Sequence, residues 1–312
     1  MRQEYLTGLK EYLELCRKHS FKLFPLHTEK PDFVFDIPHT HQWLPKTEEE
    51  ARNLLEALTS RTDLSALGEK NCWQESLLSV KNLINLPYSV LGHYDIEGND
   101  LLRKIHRNGK IVLVYKTQEI LTNTGHHITA EGHNDNILDG LTPEETIKRI
   151  RRQNGMMVLE HPYTIQRPSP LVFTLATEDE AKHSYDLMPL VDAVEVCNGM
   201  NALWMYKSNE LAKELLNRFN QENQQNQKPG IGGDDNHGGL DLMGRCGIYQ
   251  PKEIMKSTPE DFFETRRRFF QDRNLIQRIN SGELTHFNVA DIKTFFRTMI
   301  WPSITWKLGL AH

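Results

Sequence analysis

Residues 142–163 read TPEETIKRIRRQNGMMVLEHPY, and this stretch holds one complete helix–strand unit with reactive groups at its end. Thr142 suits a helix N-cap, Pro143 the first helical position, and Glu144 and Glu145 put acids in the first turn. The helix should run to about Gln153 and stop at Asn154-Gly155, residues that tolerate left-handed backbone. Residues 156–160, apolar up to Glu160, then read as a buried strand, and His161 follows directly, before a proline.

The same alternation extends outward in both directions. Strands are expected at 32–37, 88–92, 111–115, 126–130, 156–160, 193–197 and 230–233, with helical pattern in most of the gaps. That is an α/β chain, and seven strands with intervening helices make a distorted β/α (TIM-like) barrel with extra helices at both termini. Residues 1–19 form an amphipathic helix with Tyr5, Leu6, Leu9, Tyr12, Leu13 and Cys16 on one side. A helix over 208–219 precedes a polar loop, 220–228. Beyond Pro251 the alternation stops, and 259–280 and 289–299 look helical. The expected organisation is an N-terminal helix (1–30) packing on the barrel, the barrel itself (31–250) with a helical insert (47–85), and a C-terminal helical appendage (251–312). The tail carries Phe295, Phe296, Trp301 and Trp306. Packing on the barrel explains them most simply, a homo-oligomer interface comes second and a membrane-surface contact third.

The chain has 312 residues, 38% hydrophobic and 25% charged, so it can build a packed core. Its net charge of −5 gives no general attraction to nucleic acid. The four cysteines, Cys16, Cys72, Cys197 and Cys246, include no C-x-x-C pair and read as reduced thiols. The N-terminus has no apolar core of a secretory signal, and no run of 18 apolar residues could span a membrane, so a cytoplasmic location is expected.

Histidines and carboxylates gather after the expected strands. His39 and His41 follow the first, His93 and Asp95 the second, and Glu119 the third. His161 follows the fifth, Glu195 lies in the sixth with Asn198 just past it, and Asp234, Asp235 and His237 follow the seventh. Strand C-terminal ends converge on one face of a β/α barrel, so these groups would share one bowl and suit zinc, manganese or iron. Each has a structural alternative: an H-x-H pair can be two satisfied core histidines, and Gly-Gly-Asp-Asp-Asn-His-Gly-Gly can be an ordinary turn. Repetition at five strand ends favours a site. Strand alternation sends His126 and His127 to opposite faces, so at most one of them joins it. Arg245, eight residues beyond His237, could grip phosphate with its planar fork or form a surface ion pair.

In these residues the chain resembles the polymerase and histidinol phosphatase (PHP) family of metal-dependent phosphoesterases, from about Phe33 to Gly247. Phe35-Asp-Ile-Pro-His39-Thr-His41 is similar to that family's D-x-H-x-H opening with one residue inserted. Val90-Leu-Gly-His93-Tyr-Asp is similar to its second block, and Gln118-Glu119-Ile with Gly125-His126-His127-Ile to its third. Val158-Leu-Glu-His161-Pro-Tyr, Val194-Glu195-Val-Cys-Asn198 and Gly233-Asp-Asp235-Asn-His237 follow in order. The resemblance implies a seven-stranded β/α barrel binding two or three divalent ions (Mn, Zn or Fe). His39, His41, His93, Glu119, His161, Asp235 and His237 would be the ligands, with Glu119 a bridge. Asn198 would contact a ligand or the substrate.

Gly92 stands where the family has an aspartate, so two ions are expected before three. Asp36, Asp95 or Asp234 could supply the missing carboxylate. The activity implied is hydrolysis of a phosphomonoester or phosphodiester by a metal-activated water, with His41, His237 and Asp235 in catalytic roles and Arg245 and Asn198 contacting substrate. The substrate would be a small phosphorylated molecule or a short oligonucleotide. Two alternatives stay open: a metal-dependent amidohydrolase-type enzyme, and a degraded barrel serving as a binding or regulatory module. The amidohydrolase reading usually goes with a barrel lysine or a lone late aspartate. Lys116 is the one lysine evidently near an expected strand end, and the D-x-H pair favours the phosphoesterase.

Overall fold

The structure is a computed structural model, and it describes residues 28–42, 44–71, 77–167, 173–199, 206–235 and 243–287. The expected helices at 1–19 and 289–299, the aromatic tail and His237 lie outside the described residues.

One strand path carries the fold. It runs, in spatial order, through β11 (Gly230–Gly233), β10 (Ala193–Asn198), β7 (Met156–Glu160), β6 (His127–Glu131), β5 (Lys110–Leu121), β2 (Leu64–Lys70), β1 (Phe33–Ile37), β12 (Cys246–Pro251) and β13 (Thr285–Phe287). A meander of β3 (Asp95–Gly98) and β4 (Leu102–Arg107) hangs from β5, and β8 (Thr164–Gln166) with β9 (Phe173–Leu175) forms a separate two-stranded ribbon. The pairs β1–β2, β2–β5, β7–β10 and β10–β11 are parallel, whereas β5–β6, β6–β7, β1–β12 and β12–β13 are antiparallel. The sheet curls into a nearly closed barrel. At the seam Asp234 accepts from the backbone N–H groups of Gly244 (2.6 Å) and Cys246 (2.7 Å), tying the end of β11 to the start of β12. Gly232 lies so close to β13 that a β-carbon there would meet the Phe287 ring at 2.4 Å.

The path has nine strands in a mixed sheet rather than seven. Strands β1, β6, β7, β10 and β11 fall within a residue of expectation, and β5 is longer. The expected strand at 88–92 is a single helical turn, α2 (Tyr88–Leu91), closed by Gly92 N–H donating to Tyr88 O at 2.8 Å. A short apolar run fits helix and strand equally, and the turn starts after Pro87, whose φ of −54° is compatible with a helix.

The missing barrel strand lies inside the segment expected to be a helical insert. That segment holds α1 (Glu48–Arg61), started by a Thr47/Glu50 capping box, and then β2. β2 reads LSALGEK, with few branched or aromatic residues to mark a strand. Its parallel pairing to both β1 and β5 makes it a stave of the barrel. Of the expected helices, α3 (Pro143–Arg152) and α5 (Tyr206–Glu222) form where the caps and periodicity put them; between them lies α4 (Glu178–Leu187).

Residues after 251 are more than an appendage. Here β13 joins the sheet, while α6 (Phe262–Gln271) and α7 (Arg273–Asn280) follow β12. Arg266 of α6 is fully buried, donating to Glu131 (2.6 and 3.2 Å) and to Asp36, its guanidinium 4.8 Å from the Tyr115 ring centre. Phe262 and Phe263 pack with Val34, Leu64, Leu113 and Tyr115. So α6 plugs one end of the barrel, beneath the polar groups at the other. No described helix is long and apolar enough to cross a membrane.

Candidate metal centre

Two-residue alternation builds the site. On β5, Leu113 and Tyr115 face the barrel interior, and the same face reaches Glu119 two steps later. Likewise Val158 leads to Glu160 on β7, and Ala193 to Glu195 on β10. Strand β6 runs the other way and therefore presents its first residue, His127, at this end. His126 faces outward instead, its Nε2 3.1 Å from Ser184 Oγ on α4.

Two groups of four donors result. His39, His41, Glu119 and Asp235 form one and Glu119, His127, Glu160 and His161 the other; within each group the ligand atoms lie within 4.8 Å of one another and every residue is buried. Glu119 belongs to both. The Nε2 atoms of His39 and His41 approach to 3.2 Å, with Glu119 Oε2 2.9 Å from His41 Nε2 and Asp235 Oδ1 3.6 Å from His39 Nε2.

The far side of each ring is held. His41 Nδ1 donates to Gly68 O at 2.8 Å, and His39 Nδ1 lies 3.1 Å from Glu195 Oε1 and 3.2 Å from Glu160 Oε1. A proton held at Nδ1 leaves the Nε2 lone pair for a metal, an arrangement that orients metal-ligating histidines. Asn198 Nδ2 donates to Asp235 Oδ2 at 3.0 Å, and His161 N–H to Glu195 Oε2 at 3.1 Å. Asp235 (φ 45°) and His161 (φ 26°) both have left-handed backbone, a cost that tends to cluster at functional sites.

Charge distribution tests the fit to a cation. Four carboxylates (Glu119, Glu160, Glu195, Asp235) are buried together. Burial pushes Glu160 up to about 8, with Glu195 and Asp235 adding to the shift and His39 opposing it; burial also raises Glu195. Burial works to lower His39, but Glu160, Glu195 and Asp235 outweigh it and lift the imidazole to about 10. The cluster thus retains protons to offset crowded negative charge, protons that a divalent ion would displace. By contrast burial, and the neighbouring cations, hold His41 and His161 well below the usual histidine range and His127 at about 3. Those three rings are neutral donors. Glu160 Oε2 is buried with no hydrogen-bond partner among the described residues, as suits an oxygen awaiting a ligand. The donor set of imidazole and carboxylate fits zinc, manganese or iron.

Five of the expected ligands therefore come together: His39, His41, Glu119, His161 and Asp235. His93 does not join them. It is exposed in the turn after α2, away from any barrel strand, because the residues before it are not a stave. Asn198 touches Asp235. Arg245 is buried rather than a surface residue, and its charge bears on the Asp234 carboxyl. None of the three aspartates suggested for the missing carboxylate supplies it: Asp36 pairs with Arg266, Asp95 is exposed on β3 and Asp234 closes the seam. The further carboxylate that stands among the grouped donors is Glu160.

Sequence reasoning passed over Glu160, His127 as a donor, and Lys70. Lys70 ends β2 and pairs with Glu119 Oε2, the same oxygen that His41 approaches. The lysine near the site is thus Lys70 and not Lys116, whose ammonium donates to Asn134 O. The alternation that separated His126 from His127 would have found Glu160; Lys70 was hidden with its strand.

No protein-family profile matches the chain. An uncharacterized protein of Methanocaldococcus jannaschii is 33% identical over 76 residues, 24% of this chain and 43% of that one. Among solved structures the chain is similar to the lesion-specific endonuclease Q of Pyrococcus furiosus, at 15% identity and a TM-score of 0.45, covering 77% of this chain and 56% of that one. A second endonuclease Q structure, a complex with a 27-mer duplex bearing an abasic lesion at the active site, matches at 15% identity and a TM-score of 0.31 over 54% and 45%. The chain thus spans about half the length of these proteins.

Proposed function

We propose that this protein is a metal-dependent phosphoesterase whose centre is built on His39, His41, Glu119, His127, Glu160, His161 and Asp235, with His237 as a further ligand and acid. The observation that carries this reading is the sharing of Glu119 between two buried four-donor groups, as a carboxylate bridging two ions would be. Bound there, two divalent ions would supply Lewis acidity and a nucleophilic water at neutral pH. The chain's own part is to hold the donors ready. Glu195 and Gly68 O fix the tautomers of His39 and His41, and Asn198 turns Asp235 into the bowl. Arg245, at the same end, is the nearby guanidinium for a phosphate. A small phosphorylated molecule or a short oligonucleotide would be the substrate.

A second reading, hydrolysis of an amide or other carbonyl substrate, is favoured by Lys70, a barrel lysine of the kind that often accompanies that chemistry. One experiment separates the two. Bound metal is measured by elemental analysis while phosphomonoesters, phosphodiesters, a short oligonucleotide and N-acyl amides are assayed in parallel. Two equivalents of metal with phosphoester cleavage abolished by Asp235→Ala support the first reading. Amide cleavage alone selects the second, and a metal-free, inert protein overturns both.

A further inference from the structure

The end of the barrel opposite the metal centre holds a separate cavity. The strands β7, β10 and β11 carry Glu160, Asn198 and Asp235 at or just past their C-terminal ends; around their N-terminal ends lies a space of about 280 Å³. Arg151, Lys228 and Arg267 line it against one carboxylate, Asp192. Three cations to one anion is a marked local excess in a chain of net charge −5.

The cations are anchored with donors to spare. Arg151 uses one nitrogen on Leu190 O (2.7 Å), and Arg267 reaches Asn154 O (2.6 Å) and Glu264 (2.9 Å). Asp192 is tied by one oxygen to the Met157 N–H (2.9 Å) and pairs with none of the three at ion-pair distance. The Lys228 ammonium has no hydrogen bond or ion pair among the described residues. Burial lowers its affinity for a proton, Asp192 opposes that in part and Arg151 adds to it, so an anion bound in the cavity would stabilise the charged form. An adjoining space of about 460 Å³ shares Asp192 and Lys228 and adds Arg273 and Phe270, room for an uncharged body beside the cationic end.

We propose that this cavity binds the phosphate group of a small phosphorylated molecule, at a site distinct from the metal centre and independent of the reaction catalysed there. A planar guanidinium fork and a mobile ammonium facing one small space are the groups that hold a phosphate dianion. The small volume favours a compact ligand over a polymer backbone.

The test is calorimetric titration of the full chain with inorganic phosphate and with pyrophosphate, without added divalent ions. Arg151→Gln and Lys228→Gln, both at partly exposed positions, should fold as the parent does by circular dichroism. Each should weaken pyrophosphate binding at least about tenfold, the loss of one charge-assisted contact. Lys70→Gln, in the metal centre, should leave it unchanged. Binding that responds to Lys70→Gln and not to the other two, or no binding by the parent chain, would overturn the proposal. A short single-stranded oligonucleotide serves as competitor. Failure to displace pyrophosphate supports the small-molecule source, and displacement overturns it in favour of a nucleic-acid backbone.

Discussion

A β-carbon at position 233 would sit 2.4 Å from the His39 β-carbon and 2.5 Å from Glu195 Oε1, closer than packed atoms tolerate. Gly233 therefore lets β11 pass behind the His39–Glu195 contact that fixes the ring's tautomer. Gly233→Ala should push His39 off Glu195, lowering metal content by at least half and stability by about 1–3 kcal/mol, the usual cost of overpacking. Elemental analysis and urea denaturation would show both, and full metal retention would refute the account. Lys70 poses a different question, because its ammonium and an ion would attract the same oxygen of Glu119. If it competes, Lys70→Met should bind manganese or zinc several-fold more tightly in a chelator competition. Weaker binding would mean that Lys70 instead holds Glu119 in place. These two residues also show what could be read in advance. His39, His41, Glu119, His161 and Asp235 stood out because rare side chains recurred after strands, whereas a glycine or lysine announces nothing until its neighbours are known.

At the level of elements, legibility followed the strength of local signals. The α3 helix carries a proline, a cap and ordered charges, and β7 is apolar up to its last residue, Glu160, so both were found with their borders. The β2 strand is short in branched residues and follows a well-capped helix, so helical pattern spread over it. Losing that strand put His93 in the site in place of Lys70. The C-terminal helices were visible as helices, but not their insertion into the barrel, since an amphipathic pattern does not name the surface it covers. Arg266 makes that insertion testable. Replacing it with Met leaves Asp36 and Glu131 facing each other without a counter-charge in the barrel interior. The expected loss is about 3–5 kcal/mol, as for other buried pairs broken on one side. Adding Asp36→Asn and Glu131→Gln should recover part of it, and equal stability of the single and triple variants in urea melts would contradict the plug.

The whole molecule combines two pH-sensitive regions of opposite sign. His133 is fully buried, and burial with Lys116 nearby holds it at about 3; burial and His183 hold His126 at about 4. Below the ordinary histidine value of about 6.5 the unfolded chain takes up these protons and the folded chain does not. Each histidine then costs up to about 1.4 kcal/mol per pH unit as acid is added, from about 6.5 down to its folded value. Within the metal centre, His39 and Glu160 work the other way without metal. His39, lifted to about 10, contributes stability that is complete below 6.5 and lost as pH rises from there to 10. Glu160, raised to about 8, is relatively more protonated in the folded chain between about 4.5 and 8, so its burial also weighs against folding as pH rises through that window. A divalent ion replaces those protons, so binding should remove the alkaline loss. It leaves the acid loss from His126 and His133, which are not among the donors. His41, His127 and His161, which are, release the ion as acid protonates them. At a hundredfold excess of metal over its dissociation constant the added stability is about 2.7 kcal/mol. Urea midpoints measured from pH 5 to 9, with chelator and with manganese or zinc, should therefore separate most on the alkaline side and converge towards pH 5. An alkaline limb that metal does not move would show that the carboxylate cluster is not where the ion binds.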